Sequence, residues 1–156
     1  MERQGWVATG VIEAPLEKVV DVLLPVKEGP INKQNAPLLL GVAGAGRMLS
    51  RATLHGGPNS YSVHYGPHPG GTVEVDATSG YFAFQGGYKF RAEYRFTAHP
   101  KGTLLTYEAI NVAPAERQDS AGVRFQFWLG GKLKVGLRGG LRRMGRALGC
   151  RAYPGQ

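Results

Sequence analysis

The chain has 156 residues, 42% of them hydrophobic, and its 24 glycines and 10 prolines follow no repeating period. This length and composition predict one globular domain spanning 1–156 and exclude a disordered chain or a fibrous repeat. Lys and Arg number 19 against 11 Asp and Glu, a formal net charge of +8, yet residues 1–116 hold equal numbers of each sign. The positive charge therefore belongs to the last quarter of the chain.

The first predicted elements are a strand and a helix. Residues 6–13 are rich in β-branched side chains and predict a strand. Pro15 then suits a first helical turn, Glu17 favours the positive end of the helix dipole, and the apolar spacing predicts a helix over 15–24. Residues 26–58 give a weaker pattern, in which Leu38 is a candidate start for a short second helix.

From residue 60 the pattern changes to alternation between polar and apolar side chains. Short runs separated by Gly, Pro and Asn predict five antiparallel strands, over 60–65, 72–77, 81–85, 88–98 and 103–112. In the fourth run, Tyr94 and Phe96 share one face with Tyr88 and Phe90, while charged residues share the other. Such a strand has one covered face and one face in water.

A long helix is predicted to end the chain. After Pro114, apolar residues recur every three or four positions to about residue 148, which is the spacing of one helical stripe. The stripe comprises Phe125, Leu129, Leu133, Leu137, Leu141, Met144 and Leu148. Strands and helices in this order predict an α+β fold, with one sheet covered by a helix on a single face.

Two parts of the chain carry a resemblance to a known family. Ile12-Glu13-Ala14-Pro15-Leu16-Glu17-Lys18-Val19 joins the first strand to the first helix, and Tyr94-Arg95-Phe96 with Gly102-Thr103-Leu104-Leu105-Thr106-Tyr107 looks like a last hairpin before a terminal helix. The chain thereby resembles the SRPBCC (START-like, helix-grip) superfamily, over nearly its whole length. The resemblance implies a curved antiparallel sheet wrapped around the long C-terminal helix, with an internal apolar cavity.

The same resemblance implies functions. Members include polyketide cyclases and aromatases, lipid carriers and other binding proteins. We therefore expect a hydrophobic or aromatic small molecule as the partner, and a cyclase, aromatase or dehydratase acting on a polyketide-like intermediate. A non-catalytic carrier for a lipid, pigment or metabolite is the alternative, and an acidic carrier protein is a further candidate partner.

Strand parity and the resemblance together select the candidate site. Tyrosine offers a flat apolar ring with one hydroxyl, which suits an aromatic or oxygenated ligand. We expect catalytic roles for Tyr88, Tyr107, Asn111 and Arg124, and ligand contacts from Tyr61, Tyr65, Phe90, Tyr94, Gln126 and Trp128. Arginine or asparagine would stabilise an oxyanion. The tyrosines as ordinary core aromatics, and Arg124 as a surface residue, are the alternatives.

Two strand faces are left open by the pattern. Residues 81–85 mix Tyr81 and Gln85 with two phenylalanines, and in 103–112 both faces carry apolar and polar groups. On the last strand we favour the face with Leu105, Tyr107 and Asn111 as the inward one.

The remaining signals point away from other chemistries. The four histidines lack metal-ligand spacing, and residues 44–49 lack the third glycine of a dinucleotide loop, so we expect no metal or nucleotide cofactor. Basic residues in the terminal helix are not interleaved with aromatics, which argues against a nucleic-acid partner. The single Cys150, the lack of a signal-like stretch and the lack of a membrane-spanning run predict a cytoplasmic protein. A monomer and a homodimer both stay open.

Overall fold

The described strands form a single antiparallel sheet. The computed structural model describes residues 5–32, 34–39, 51–86, 90–111 and 137–155. Nine strands of this part pair in the order β2-β3-β4-β5-β6-β7-β8-β1-β9. Their bounds are β1 Gly5–Ile12, β2 Gly29–Pro30, β3 Thr53–Gly56, β4 Ser60–Tyr65, β5 His68–Asp76, β6 Tyr81–Gly86, β7 Phe90–His99, β8 Gly102–Asn111 and β9 Ala152–Pro154. The sheet and the helices confirm the α+β class.

The predicted strands agree closely with the observed ones. The first predicted strand is β1, and the five later runs are β4 to β8, with ends that differ by a few residues. Strand β1 crosses back to pair with β8, so that Gly5 lies opposite Ile110 and Ile12 opposite Thr103. This pairing brings the first and the last long strands together next to one edge of the sheet, where only the short β9 lies beyond β1.

Two helices accompany the sheet. Helix α1 (Leu16–Leu23) follows Pro15, carries Glu17 in its first turn and buries Val19 and Leu23, in contact with β7 and β8. Residues 137–148 are helical and are called here α2. Its buried side chains are those of the predicted stripe: Leu137, Leu141, Met144 and Leu148. The predicted helical residues before 137 lie outside the described part of the chain.

The corner between β1 and α1 is held by the β7–β8 turn. Thr103 Oγ1 donates a hydrogen bond of 2.9 Å to the carbonyl oxygen of Ala14 and is fully buried. Gly102 has φ +135°, and a β-carbon there would lie 2.6 Å from the carbonyl oxygens of Ile12 and Ala14. Only glycine fits this approach. The two sequence stretches that carry the resemblance are therefore packed against each other.

Three short strands were not predicted from the sequence. Strands β2 and β3 lie within the weakly patterned 26–58 region, and β9 follows the terminal helix and pairs with β1. At the candidate second helix, Leu38 lies in a turn, Leu39 has 3₁₀ conformation, and Leu40 lies outside the described residues. No helix among the described residues is both long enough and apolar enough to cross a membrane.

Candidate functional site

The buried face of the sheet, called here the inner face, carries a row of aromatic side chains. Ladder partners show which residues share this face: Tyr61 pairs with Val73, Phe82 with Tyr94, and Tyr94 with Tyr107. All of these side chains are at least nine-tenths buried. Their apolar neighbours on the same face are Val63, Val75, Phe84, Ala92, Phe96, Leu105 and Ala109.

Tyr94 and Tyr107 form the centre of this row. They lie directly opposite each other on β7 and β8, with ring centroids 4.9 Å apart and ring planes inclined by 59°. Phe82 meets Tyr94 edge to face, at a centroid distance of 6.0 Å. Three rings on adjacent strands thus form a continuous aromatic surface, held by cross-strand pairing rather than by a loop.

Burial keeps both of these hydroxyl groups protonated. Loss of water contact raises the pKa of Tyr94 well above its ordinary value, and the nearby Tyr107 raises it further. Burial likewise raises the pKa of Tyr107. At neutral pH both side chains are neutral phenols. They can donate a hydrogen bond or a proton to an oxygen atom, but they cannot serve as anionic bases.

The other two described tyrosines of the predicted site differ from this pair. Tyr61 donates its hydroxyl hydrogen to the carbonyl oxygen of Val26 at 2.9 Å, so this group connects β4 to the segment after α1. Tyr65 is half-buried, burial raises its pKa, and its ring covers Gly70, where a β-carbon would meet ring carbons. Tyr61 is thus tied to the backbone, whereas Tyr65 lies at the margin of the inner face.

Other predicted site residues are only partly covered by the structure. Phe90 and Asn111 are ladder partners at the end of the β7–β8 hairpin, in line with Tyr94 and Tyr107 along their strands. The remaining predicted residues lie outside the described part of the chain: Tyr88, Arg124, Gln126 and Trp128. The role assigned to each site residue stays a prediction.

The strand faces that the sequence left open are now assigned. On β8 the favoured face, with Leu105 and Tyr107, is the inner one, because these residues pair with Phe96 and Tyr94. On β6 the inner face carries Phe82 and Phe84, two aromatics that were not among the predicted site residues. Their cross-strand partners, Tyr94 and Ala92, place Phe82 and Phe84 on the inner face. The sequence of this six-residue strand alone did not show which face is buried.

The opposite, outer face carries an ion-pair network. Arg91 donates to Glu93 at 3.0 Å, to Glu74 at 2.9 Å and to the hydroxyl of Tyr81 at 2.9 Å. Arg95 contacts the second oxygen of Glu93 at 3.3 Å. Glu93 is only 7% exposed, although the alternation suggested a carboxylate in water. Each charge in the network has a partner of opposite sign. We therefore assign the network a structural role.

These observations limit the chemistry of the described inner face. The buried polar or charged side chains of the described residues are Glu93, on the outer face, and Thr103, which is bonded to Ala14. The described residues also contain no group of three or more His, Cys, Asp and Glu arranged to hold a metal ion. The functional groups that this part of the chain presents on the inner face are therefore tyrosine hydroxyls.

Comparison with known proteins gives similarities at the level of the backbone. No protein-family model matches the chain, and no curated protein sequence is significantly similar to it. The Zhui aromatase/cyclase from Streptomyces sp. R1128 is similar at 12% identity with a TM-score of 0.46, over 94% of this chain and 93% of that chain. A protein from Thermus thermophilus is 12% identical with a TM-score of 0.45, over 94% and 97%. An uncharacterized protein from Rhizobium leguminosarum is 14% identical with a TM-score of 0.42, over 96% and 99%.

Proposed function

We propose that this chain is a small-molecule-binding protein of the helix-grip type, which holds an apolar, oxygen-bearing ligand between the inner face and the terminal helix. The observation that carries the proposal is the buried Tyr94–Tyr107 pair, with centroids 4.9 Å apart in an otherwise apolar surface. Flat rings with a few placed hydroxyls are typical of sites for aromatic or poly-oxygenated ligands.

The proposed reaction is a cyclisation, aromatisation or dehydration of a polyketide-like intermediate. In an intramolecular aldol step, the enol carbon of one ketone attacks a second carbonyl. The C=O π bond opens as the new carbon–carbon bond forms, and the enol oxygen becomes a ketone and releases its proton to solvent. The attacked carbonyl oxygen gains negative charge and must receive a proton. Burial keeps the Tyr107 phenol neutral, so it can donate a hydrogen bond to that oxygen, and the alkoxide that forms is a stronger base than a phenolate and can therefore take the proton. We assign this role to Tyr107, with Tyr88, Asn111 and Arg124 as further catalytic candidates.

The other predicted residues would bind and orient the substrate. In this proposal Tyr94 lies beside Tyr107 and, with Tyr61, Tyr65, Phe90, Gln126 and Trp128, fixes one conformer of a flexible chain. Holding the reacting carbons close together is itself a large source of rate enhancement. The hydroxyl of Tyr61 already binds Val26, so the ring is the part of this residue that would contact a ligand.

A carrier without catalysis is the second candidate function, and one observation favours it. Proton abstraction from carbon needs a base, but among the described residues the buried side chains beside Tyr94 and Tyr107 are apolar or phenolic. A binding protein needs no base. In this alternative the same inner face would hold a lipid, pigment or metabolite and release it unchanged.

Two measurements test the proposal. Native mass spectrometry of the freshly purified chain, together with a titration using the neutral apolar fluorophore N-phenyl-1-naphthylamine, would detect a ligand site on the inner face. Turnover would be followed with a short synthetic poly-β-ketone thioester. Tyr107→Phe should lower turnover by about 10²-fold, the scale of a lost proton donor, while Tyr81→Phe on the outer face leaves it unchanged.

The outcomes separate the two functions. Saturable fluorophore binding with turnover that depends on Tyr107 supports the enzyme. Saturable binding without turnover supports the carrier. If the fluorophore does not bind and nothing co-purifies, the inner face is an ordinary core and both functions are wrong.

A further inference from the structure

A wide, largely open depression lies on the surface at the end of α2, beside the edge strand β9. It is a pocket of about 650 Å³, called here the basic pocket. Its lining residues are Arg142, Gly145, Arg146, Gly149, Cys150, Arg151, Ala152 and Tyr153. Three of these eight residues are arginines and none is acidic, so the pocket concentrates positive charge in one concavity.

The arginines have little compensating charge around them. Arg142 and Arg146 are four residues apart in the helix and therefore project from the same side, one turn apart. Arg151 reaches the carboxylate of Glu13 only at 3.7 Å, with its side chain 85% exposed. Among the described residues, no carboxylate forms an ion pair with Arg142 or Arg146. The pocket thus keeps most of its positive charge available.

The backbone around the pocket is held in a defined conformation. Gly149 has φ +69°, and the N–H of Cys150 donates to the carbonyl oxygen of Gly145 at 2.9 Å, which ends the helix. The N–H of Glu13 then donates to the carbonyl oxygen of Arg151 at 2.9 Å, and Tyr153 pairs with Val11 in the sheet. Arg151 is therefore anchored to β1 and α2, although its guanidinium group reaches into water.

Stabilisation of the helix end does not account for this arrangement. Cations in the last turn interact favourably with the helix dipole, but the effect falls off within that turn. Arg146 is in the last turn of α2, whereas Arg142 is a turn earlier and Arg151 follows the helix. Three arginines and no acidic residue line one depression, a composition suited to a ligand with more than one negative charge.

We propose that the basic pocket binds the phosphate group of a small soluble phosphate ester. The planar guanidinium fork matches phosphate oxygens in pairs, and phosphate carries enough charge to engage several arginines. The depression is larger than a bare ion and has room for a small organic group, one side of which would stay in water. The ring of Tyr153, with Arg151 at 5.8 Å and Lys101 at 6.0 Å from its centroid, provides a wall for the organic part of the ester.

The test uses the full chain and phenyl phosphate as the probe. Nuclear magnetic resonance titration should show saturable shifts of the arginine Nε–H signals and of the amides of Gly145, Gly149 and Cys150. Arg142→Gln, Arg146→Gln and Arg151→Gln should each weaken binding by about tenfold, the scale of one lost charge-assisted contact. Neutral benzyl alcohol should cause no such shifts.

Arg138→Gln is the matched control, because Arg138 lies one turn before Arg142 and does not line the pocket. It removes the same charge and should weaken binding less than about twofold, the scale of a screened surface charge. Equal losses in Arg138→Gln and Arg146→Gln would show that only net charge matters and would overturn the proposal. The exposed arginines are not part of the core, so all four variants should keep the wild-type melting temperature.

Two further outcomes would also overturn it. One is the absence of saturation by phenyl phosphate at millimolar concentrations. The other is binding to vesicles that contain phosphatidic acid, but not to phosphatidylcholine vesicles or to phenyl phosphate, which would identify a membrane surface as the partner. Binding of phenyl phosphate that depends on Arg142, Arg146 and Arg151 supports the soluble ester, whatever the inner face is found to do.

Discussion

A β-carbon placed on Gly10 would lie 2.7 Å from Cδ2 of Leu141, so helix α2 rests directly on strand β1 at this glycine. Gly10 lies directly opposite Leu105 of β8, on the inner face of the sheet. Leu141 is fully buried at the middle of the described helix. The missing side chain at position 10 therefore sets how closely the terminal helix approaches the sheet.

This contact gives a first prediction. Gly10→Ala should push the Leu141 side chain away and lower the free energy of unfolding by about 1–3 kcal/mol, as overpacking does. Leu141→Ala alone should cost about 2–5 kcal/mol by leaving a cavity. In the double variant the new methyl group occupies part of that cavity, so the loss should be smaller than the sum by at least about 0.5 kcal/mol.

Urea unfolding of the four proteins measures this coupling. Gly139→Ala is the control, since a β-carbon on this glycine of α2 has no atom within 4 Å. It should raise the free energy of unfolding by up to about 1 kcal/mol through helix propensity. Strictly additive losses at positions 10 and 141 would contradict the packing of α2 on β1.

The buried carboxylate of Glu93 gives a second prediction. Glu93→Gln removes the charge that holds Arg91 and Arg95, and the free energy of unfolding should fall by about 1.5–3 kcal/mol. Glu108→Gln is the control, because Glu108 lies directly opposite Glu93 on β8 and pairs with no cation among the described residues. Removing this like charge should be neutral or slightly stabilising.

The same network sets a pH dependence. Burial alone would raise the pKa of Glu93, but the hydrogen bond from Arg91, the nearby Tyr81 hydroxyl and the charges of both arginines outweigh it and lower the pKa below its ordinary value of 4.5. Stability from Glu93 is therefore complete above about pH 4.5 and is lost as the pH falls towards the lower pKa of the folded state. Urea unfolding between neutral and acid pH should show a smaller slope in Glu93→Gln than in the wild type.

The inner face of β7 could be predicted because its alternation is regular. Ala92, Tyr94 and Phe96 face inward, and the alternate residues, which include Arg91 and Arg95, face outward. A shift of one residue would bury the arginines, so a single register is compatible with the pattern. The tight turn at Gly102 then determines which residues of β8 lie opposite them.

Strand β6 could not be assigned in this way. Phe82, Ala83 and Phe84 are all buried, although Ala83 faces the outer side, where it lies between Glu74 and Glu93. The long side chain of Arg91 bridges these two glutamates and lies over that surface. Because residues on both faces of β6 are buried, the strand does not alternate between polar and apolar side chains. The burial of Ala83 depends on ion pairs between residues of neighbouring strands, which the sequence of β6 alone does not reveal.

The short edge strands β2 and β9 could not be predicted from the sequence for a related reason. β2 and β9 have two and three residues, and each exists because a distant segment pairs with it. The basic pocket also depends on pairing between distant segments of the chain. Its charges were visible as a basic C-terminal quarter, but the concavity results from the pairing of β9 with β1, some 140 residues earlier in the chain.

The hydroxyl of Tyr61 gives a third prediction. Tyr61→Phe removes the 2.9 Å hydrogen bond to Val26 and leaves that carbonyl without this donor, so the free energy of unfolding should fall by about 1–2 kcal/mol. Tyr65→Phe on the same strand is the control, since its hydroxyl bonds to none of the other described residues. Equal stability of the two variants in urea would show that the Tyr61–Val26 bond contributes nothing.

The buried tyrosine pair gives a fourth prediction, at alkaline pH. Because burial raises the pKa of Tyr94 and Tyr107 above the ordinary value of 10, the folded state holds their protons more tightly than the unfolded state. Stability from these groups is therefore complete below pH 10 and is lost as the pH rises through their pKa values in the folded state. After a rapid jump above pH 10, part of the phenolate absorbance should appear only at the rate of unfolding, followed in parallel by circular dichroism. Tyr94→Phe and Tyr107→Phe should each remove part of this slow phase. If all seven tyrosines of the wild-type protein ionise at once, the pair is open to water and the prediction is wrong.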